Sequence, residues 1–148
     1  MTVAAETRLC DILLRNGHIH PEQVQEALEL QKLRPKRIGE ILLDLGYIEE
    51  DHLLEALSEQ FGMPFEQDIR SQMDSSLTTK VPLSFIREYH MVPYKREDSV
   101  YYVALHDPMN LLPLDDLRLL LNGPVVPVLC RKRDIQAVID GYFDQQGE

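Results

Sequence analysis

The sequence is short of cysteine, of basic residues and of long apolar runs. Its two cysteines, Cys10 and Cys130, stand far apart, and neither belongs to a CxxC pair. This argues against a structural zinc site and against a disulfide framework, and it fits a reducing compartment. Against 25 Asp and Glu there are only 15 Lys and Arg, a formal net charge of −10 over 148 residues. So acidic a chain has little affinity for the phosphate backbone of DNA or RNA. Any anion must be held locally, by placed arginines and backbone N–H groups. The first residues, Met-Thr-Val-Ala-Ala-Glu-Thr, lack a basic, apolar signal segment. No apolar run approaches the ~18 residues of a membrane span. The expectation is a cytoplasmic protein that does not insert into a membrane and meets one only peripherally, through a partner. A GxxxxGK(S/T) phosphate loop, a GxSxG element and a Ser-His-Asp order are all missing, so no enzyme is expected. The five histidines are scattered, without a metal-ligand spacing.

What the sequence does have, it states twice. Arg8-Leu9-Cys10-Asp11-Ile12-Leu13-Leu14, followed by Gly17 and Ile19, returns 29 residues later as Arg37-Ile38-Gly39-Glu40-Ile41-Leu42-Leu43, followed by Gly46 and Ile48. Each copy continues to a helix-spaced apolar pair and a glutamine: Val24, Leu28 and Gln31, then Leu53, Leu57 and Gln60. Ten of 24 aligned positions are identical, without a gap. Two similar helices need similar leucines. Packing does not need a repeated arginine and glutamine, and their return points to a ligand with two similar halves. The plainer alternative is a pair of solvated charges left by a duplication.

Residues 1–5 read as a loose tail, and Thr7 as the cap of a helix over about 8–16 that Gly17 stops. A second helix runs from Pro21 to about 32, and after a break at 33–36 a third covers about 37–45 and a fourth about 50–61, ending at Gly46 and Gly62. Each repeat is then a helical hairpin, and two hairpins can bury leucine faces that one alone would leave wet. Residues 63–76 are irregular and polar, a candidate linker. Beyond them the pattern gives a helix over 82–89, a strand over 91–94, a charged turn at 95–98, a β-branched and aromatic strand over 100–105, a helix over 111–121, a strand over 125–129 and a helix over 133–143. Pro127 places the last strand at an edge. The expected fold class is α+β: an N-terminal pair of helical hairpins over 1–62, the linker, and a small α/β sandwich over 77–148.

Arg-(Leu/Ile)-Gly at a helix start has a definite chemistry. The first N–H groups of a helix lack intrahelical partners and carry the positive end of its dipole, so a phosphate fits there. Glycine lets a ligand approach the backbone. Arginine pairs with phosphate in a fork or lies on a purine face. Glutamine both donates and accepts, which suits a base edge. Two such sets, with leucines as an apolar floor, fit a dinucleotide better than a single phosphate.

Both repeats resemble the motif RLGxx(L/V/I)(L/V/I)xxG(L/V/I)(L/V/I)xxxx(L/V/I)xxx(L/V/I)xxQ of the MshEN family, the N-terminal domain of type II secretion and type IV pilus assembly ATPases, also called the GspE N-terminal domain. The likeness covers residues 8–60 as tandem motifs. Val103-Ala104-Leu105-His106-Asp107-Pro108 and Leu114-Asp115-Asp116-Leu117-Arg118 resemble the family's second subdomain. The resemblance implies binding of cyclic di-GMP, with no cofactor and no metal. By position, Arg8 and Arg37 would contact guanines or phosphates, and Leu9 and Ile38 would give apolar contact and backbone groups. Val24, Leu28, Leu53 and Leu57 would form the wall, Gln31 and Gln60 would close the half-sites, and Asp107 would reach a guanine edge. Cys10 stands where the motif, like Gly39, has glycine, so the first half-site is expected to be the poorer. His18 and Tyr47 replace aliphatic residues as packing variations. The expected partners are the dinucleotide and a secretion or pilus ATPase domain. The alternative is a nucleotide-independent docking domain that recruits such an ATPase to its inner-membrane platform protein. A helix-turn-helix DNA binder is disfavoured by the acidic balance.

Overall fold

Short apolar stripes punctuated by glycines build one half of the molecule, and a β-branched run builds the other. The computed structural model describes the backbone of residues 3–146 and the side chains of residues 5–141. The chain divides into two compact units, Met1–Gly62 and Met63–Glu148.

The first unit holds α1 (Val3–Arg15), α2 (Pro21–Leu33), α3 (Ile38–Asp44) and α4 (Glu50–Phe61). Gly17 and Gly46 turn the chain at φ +79° and +78°, a left-handed conformation that costs glycine no Cβ clash. In both turns the glycine N–H donates to the carbonyl of Leu14 or Leu43 at 3.0 Å, and the next N–H to that of Leu13 or Leu42 at 3.1 Å. These bonds satisfy carbonyls that a helix end leaves over. The following helices start alike. His20 N–H donates to Gln23 Oε1 at 2.8 Å, and Glu49 N–H to His52 Nδ1 at 3.1 Å.

The repeated apolar positions Leu9/Ile38, Ile12/Ile41, Leu13/Leu42, Ile19/Ile48 and Ala27/Ala56 are all buried. Their packing is crosswise. α1 lies chiefly against α4 and α2 against α3, while α1 also crosses α3. The repeats are therefore not two closed hairpins stacked on each other; each completes the core of the other. At the α1–α3 crossing, a Cβ on Gly39 would come within 2.9 Å of Leu53 Cδ1 and 3.5 Å of Leu9 Cδ2. Glycine here makes room for a leucine. The first repeat holds the reverse pair, the larger Cys10 with the shorter Val24, both lining one cleft.

α1 starts earlier than expected, and Thr7 does not cap it. The segment before Thr7 contains two alanines and an acidic residue in the first turn, and both favour a helix. α3 gains no such extension. Pro35 disfavours helix in the residue before it, and Arg37 is the extended cap of α3 at φ −66°, ψ 146°. Residues 1 and 2 of the expected tail lie outside the described residues.

The second unit carries two 3-10 turns (Arg70–Gln72, Ser75–Lys80), then α5 (Leu83–Tyr89), β1 (Val92–Glu97), β2 (Val100–Leu105), α6 (Pro113–Leu121), β3 (Val125–Leu129) and α7 (Lys132–Gln146). The sheet order is β1-β2-β3, antiparallel then parallel. β2 is central and α7 packs on it; Val103, Ala104 and Leu105 are buried. The charged stretch expected as a turn continues β1. The turn itself is Asp98-Ser99, at φ 51° and 70°, the two-residue geometry that matches strand twist. α6 begins at Pro113 rather than 111, with proline in the first turn. Residues 63–76 are not a free linker. Met63 and Ile69 are buried, Glu66 N–H donates to the Leu129 carbonyl at 2.9 Å, and Leu129 N–H donates to the Pro64 carbonyl at 2.8 Å. The segment thereby covers part of the β3 edge, which would otherwise present unpaired backbone.

Two expectations follow. Gly39→Ala and Leu53→Val should couple, the double variant being more stable than additivity predicts by about 1 kcal/mol; urea denaturation of the four proteins measures this, and simple additivity would refute the tight crossing. Burial pushes the Cys10 thiol up from 9.0 to about 11 and the Cys130 thiol to about 12. The folded state thus favours the protonated thiols. Their stabilisation is complete below pH 9 and is lost as pH climbs through these raised values. Unfolding free energy should fall between pH 9 and 11, and both thiols should resist a disulfide reagent at pH 8 until denaturant is added; rapid reaction of the native protein would contradict their burial.

Candidate functional site

The repeated polar residues lie where the two repeats meet. Gln31, near the end of α2, donates through Nε2 to the carbonyl of Lys36 at 2.9 Å, one residue before Arg37. Gln60, near the end of α4, donates through Nε2 to the carbonyl of Ala5 at 3.0 Å, one helical turn before Arg8. Each motif glutamine is thus fastened to the backbone that carries the other motif's arginine. The tethers set Gln60 by the segment that carries Arg8 and Gln31 by the segment that carries Arg37, each glutamine beside the arginine of the other repeat. Arg8 is exposed and Arg37 half-buried. Both lie within two residues of the Leu9–Gly39 crossing.

The equivalence stops at detail. Gln31 Nε2 also reaches both carboxylate oxygens of Glu6, at 3.0 and 3.1 Å. Glu6 has Pro35 as its counterpart in the second repeat. On the second side, Gln60 Oε1 is buried without a hydrogen-bond partner. A buried acceptor left unpaired costs stability, so it is a place where a donor is welcome.

A cleft of about 450 Å³ opens between α1 and α2, lined by Glu6, Cys10 and Leu14 on one side and Val24, Leu28 and Gln31 on the other. Glu6 escaped the sequence reading because it lies outside the repeat. Its spacing of four from Cys10 and eight from Leu14 was the available signal that the three share a helix face. Leu9 and Ile38, expected to touch a ligand, are 1% and 0% exposed and belong to the core. Leu57, at 6%, is nearly so, while Val24, Leu28 and Leu53 keep some surface. Cys10 sits inside a continuous helix, so its N–H is not the free helix-start donor that the motif suggested. Gly39 is buried against Leu53 rather than open to solvent.

The two departures from the motif pattern at the turns are packing contacts across the repeats. His18 stacks on His52, with centroids 3.9 Å apart and planes 18° from parallel. Tyr47 donates its hydroxyl hydrogen to Glu26. Asp107, in the second unit, accepts from the Met109 N–H at 2.9 Å and lines a separate cavity of about 320 Å³ with His90, His106 and Asn110. Among the described residues no group of three His, Cys, Asp or Glu side chains is arranged for a metal, and no helix is long and apolar enough to cross a membrane.

A family model for the MshEN domain matches residues 61–148. The chain is 30% identical over 140 residues to the type IV pilus assembly ATPase PilB of Myxococcus xanthus, which covers 95% of this chain and 25% of that protein. It is 32% identical over 117 residues to Bacteriophage adsorption protein B of Escherichia coli, covering 76% of this chain and 16% of that one. It therefore spans a quarter or less of these relatives' length. A solved structure of MshE with cdg superposes with a TM-score of 0.79 at 26% identity, over 91% of this chain and 98% of that one. The family match takes in the whole second unit and more than half of the chain, and the MshE likeness extends over 91% of it: the chain belongs to the MshEN domain family.

Proposed function

We propose that this chain is a cyclic di-GMP-binding regulatory module without catalytic activity of its own. The observation that carries the reading is the crosswise tether of both motif glutamines to the segments bearing the opposite arginines, in a fold shared with a structure of MshE with cdg. Arg8 and Arg37 would meet the phosphates or lie on the guanine faces. Gln60 Oε1, buried and unpaired, would accept from guanine N1–H or N2–H₂. Val24, Leu28 and Leu53 would flank the bases. The ligand bridges two repeats that already interlock, so binding favours one arrangement of them, and a coupled pilus or secretion ATPase would read that bias. On this reading the protein would act in the cytoplasm and reach the inner membrane only through its partners. Cys10 lies within α1, so Cys10→Gly would weaken the helix rather than open a phosphate approach.

Calorimetry tests the reading. Wild type should release or take up heat on titration with cyclic di-GMP. Arg37→Ala and Gln60→Ala should each weaken binding roughly tenfold or more, the scale of a hydrogen bond to a charged group. Arg8→Ala should be non-additive with Gln60→Ala and additive with Gln31→Ala; the opposite pattern would restore half-sites confined to one repeat. No heat from wild type would leave the nucleotide-independent docking domain.

A further inference from the structure

The two repeats match at their arginines and glutamines but not at the residue set beside each glutamine. Glu6, on α1, has Pro35 as its counterpart 29 residues on. Gln31 therefore faces a carboxylate, whereas Gln60 bonds to the backbone carbonyl of Ala5.

The orientation of the Gln31 amide follows from its partners. Its Nε2 lies 3.0 and 3.1 Å from the two oxygens of Glu6 and 2.9 Å from the Lys36 carbonyl. All three are acceptors, so the amide turns its two hydrogens to them. One hydrogen serves Lys36, and the other is shared between both Glu6 oxygens. The carboxylate is thereby short of donors, two oxygens accepting from one N–H. Glu6 is half-buried and stands in the wall of the α1–α2 cleft of about 450 Å³, with Cys10 and Leu14 beside it and Val24 and Leu28 across. A mostly apolar cleft of this size with one placed charged group suits a small molecule.

Such a carboxylate selects among bases. Guanine carries two parallel donors on one edge, N1–H and N2–H₂. They match the two oxygens one to one, and a charged acceptor makes such bonds strong. Guanine supplies two hydrogens where Gln31 supplies one, and Gln31 keeps its bond to Lys36 when it gives way. Adenine sets its N6–H₂ beside the lone pair of N1. Against Glu6 that lone pair would meet an anionic oxygen, so the carboxylate would be half-paired and repelled. On the Gln60 side the acceptor is the neutral Oε1, buried and unpaired. A single acceptor is served as well by adenine N6–H as by either guanine donor.

Given the cyclic dinucleotide reading proposed above, on which this rests, we infer that the half-sites differ in base selection. The Gln31 side, through Glu6, requires guanine; the Gln60 side takes either purine. The ligands are then cyclic dinucleotides with at least one guanine, mixed cyclic GMP-AMP among them.

Calorimetry of the whole chain with cyclic di-GMP, cyclic GMP-AMP and cyclic di-AMP tests this, on wild type and on Glu6→Gln. The three ligands share their phosphates and differ only in base edges. Wild type should bind the first two with similar affinity and cyclic di-AMP roughly tenfold or more weakly. Glu6→Gln, whose amide can pair with an adenine edge, should bring the three affinities together. A merely structural role for Glu6 would lower all three alike and keep their ratios. Three equal affinities in wild type, cyclic GMP-AMP grouping with cyclic di-AMP, or unchanged ratios in Glu6→Gln would each overturn the unequal half-sites and leave cyclic di-GMP binding standing. Wild type that binds none of the three would overturn both.

Discussion

The first unit depends on the contact of Leu9, Gly39 and Leu53, where α1 crosses α3. A single side-chain carbon on Gly39 would stand 2.9 Å from Leu53, closer than carbon atoms pack, so the crossing is set by the absence of a side chain. Close-packed interiors transmit such constraints. The crossing holds the segments bearing Arg8 and Arg37 near one another, and the glutamines at the ends of α2 and α4 then reach across to them. Interlock and candidate ligand site are products of the same contact.

For an acidic unit to bind the proposed anion, its surfaces would have to divide the labour. The carboxylates of Glu6, Asp11 and Glu29 line the α1–α2 cleft and would repel phosphate, yet a carboxylate accepts well from the donor edge of guanine. The arginines lie outside that lining. On the proposed reading, base and phosphate would go to different surfaces. The two glutamines also differ: a charged acceptor, Glu6, is tied to Gln31, whereas Gln60 presents its own neutral amide oxygen.

Much of this was legible in the residues. Gly17 and Gly46, the leucine spacings and Pro21 marked the helices because each acts within a few residues. The β-branched run at 100–105 marked the central strand for the same reason. What stayed hidden was everything decided by distant parts of the chain. Repetition singled out the arginines and glutamines but could not say which Arg lies beside which Gln, since that depends on helices packing across repeats. The extension of α1 was missed because Thr7 is a good local cap, outweighed by the alanines and Glu6 before it. Residues 63–76 looked like a linker because polar composition does not reveal that a sheet edge, Leu129, awaits backbone partners.

The crosswise arrangement has a topological consequence. α1 needs α4 and α2 needs α3, so neither repeat has a finished interior by itself, and the only covalent join between them is the short stretch from Leu33 to Arg37. The same contacts form equally well if the second repeat comes from another molecule. A stiffer or shorter join would favour that exchange, giving a domain-swapped pair with every native contact kept. Pro35 keeps the residue before it extended, so this join is stiff at its middle.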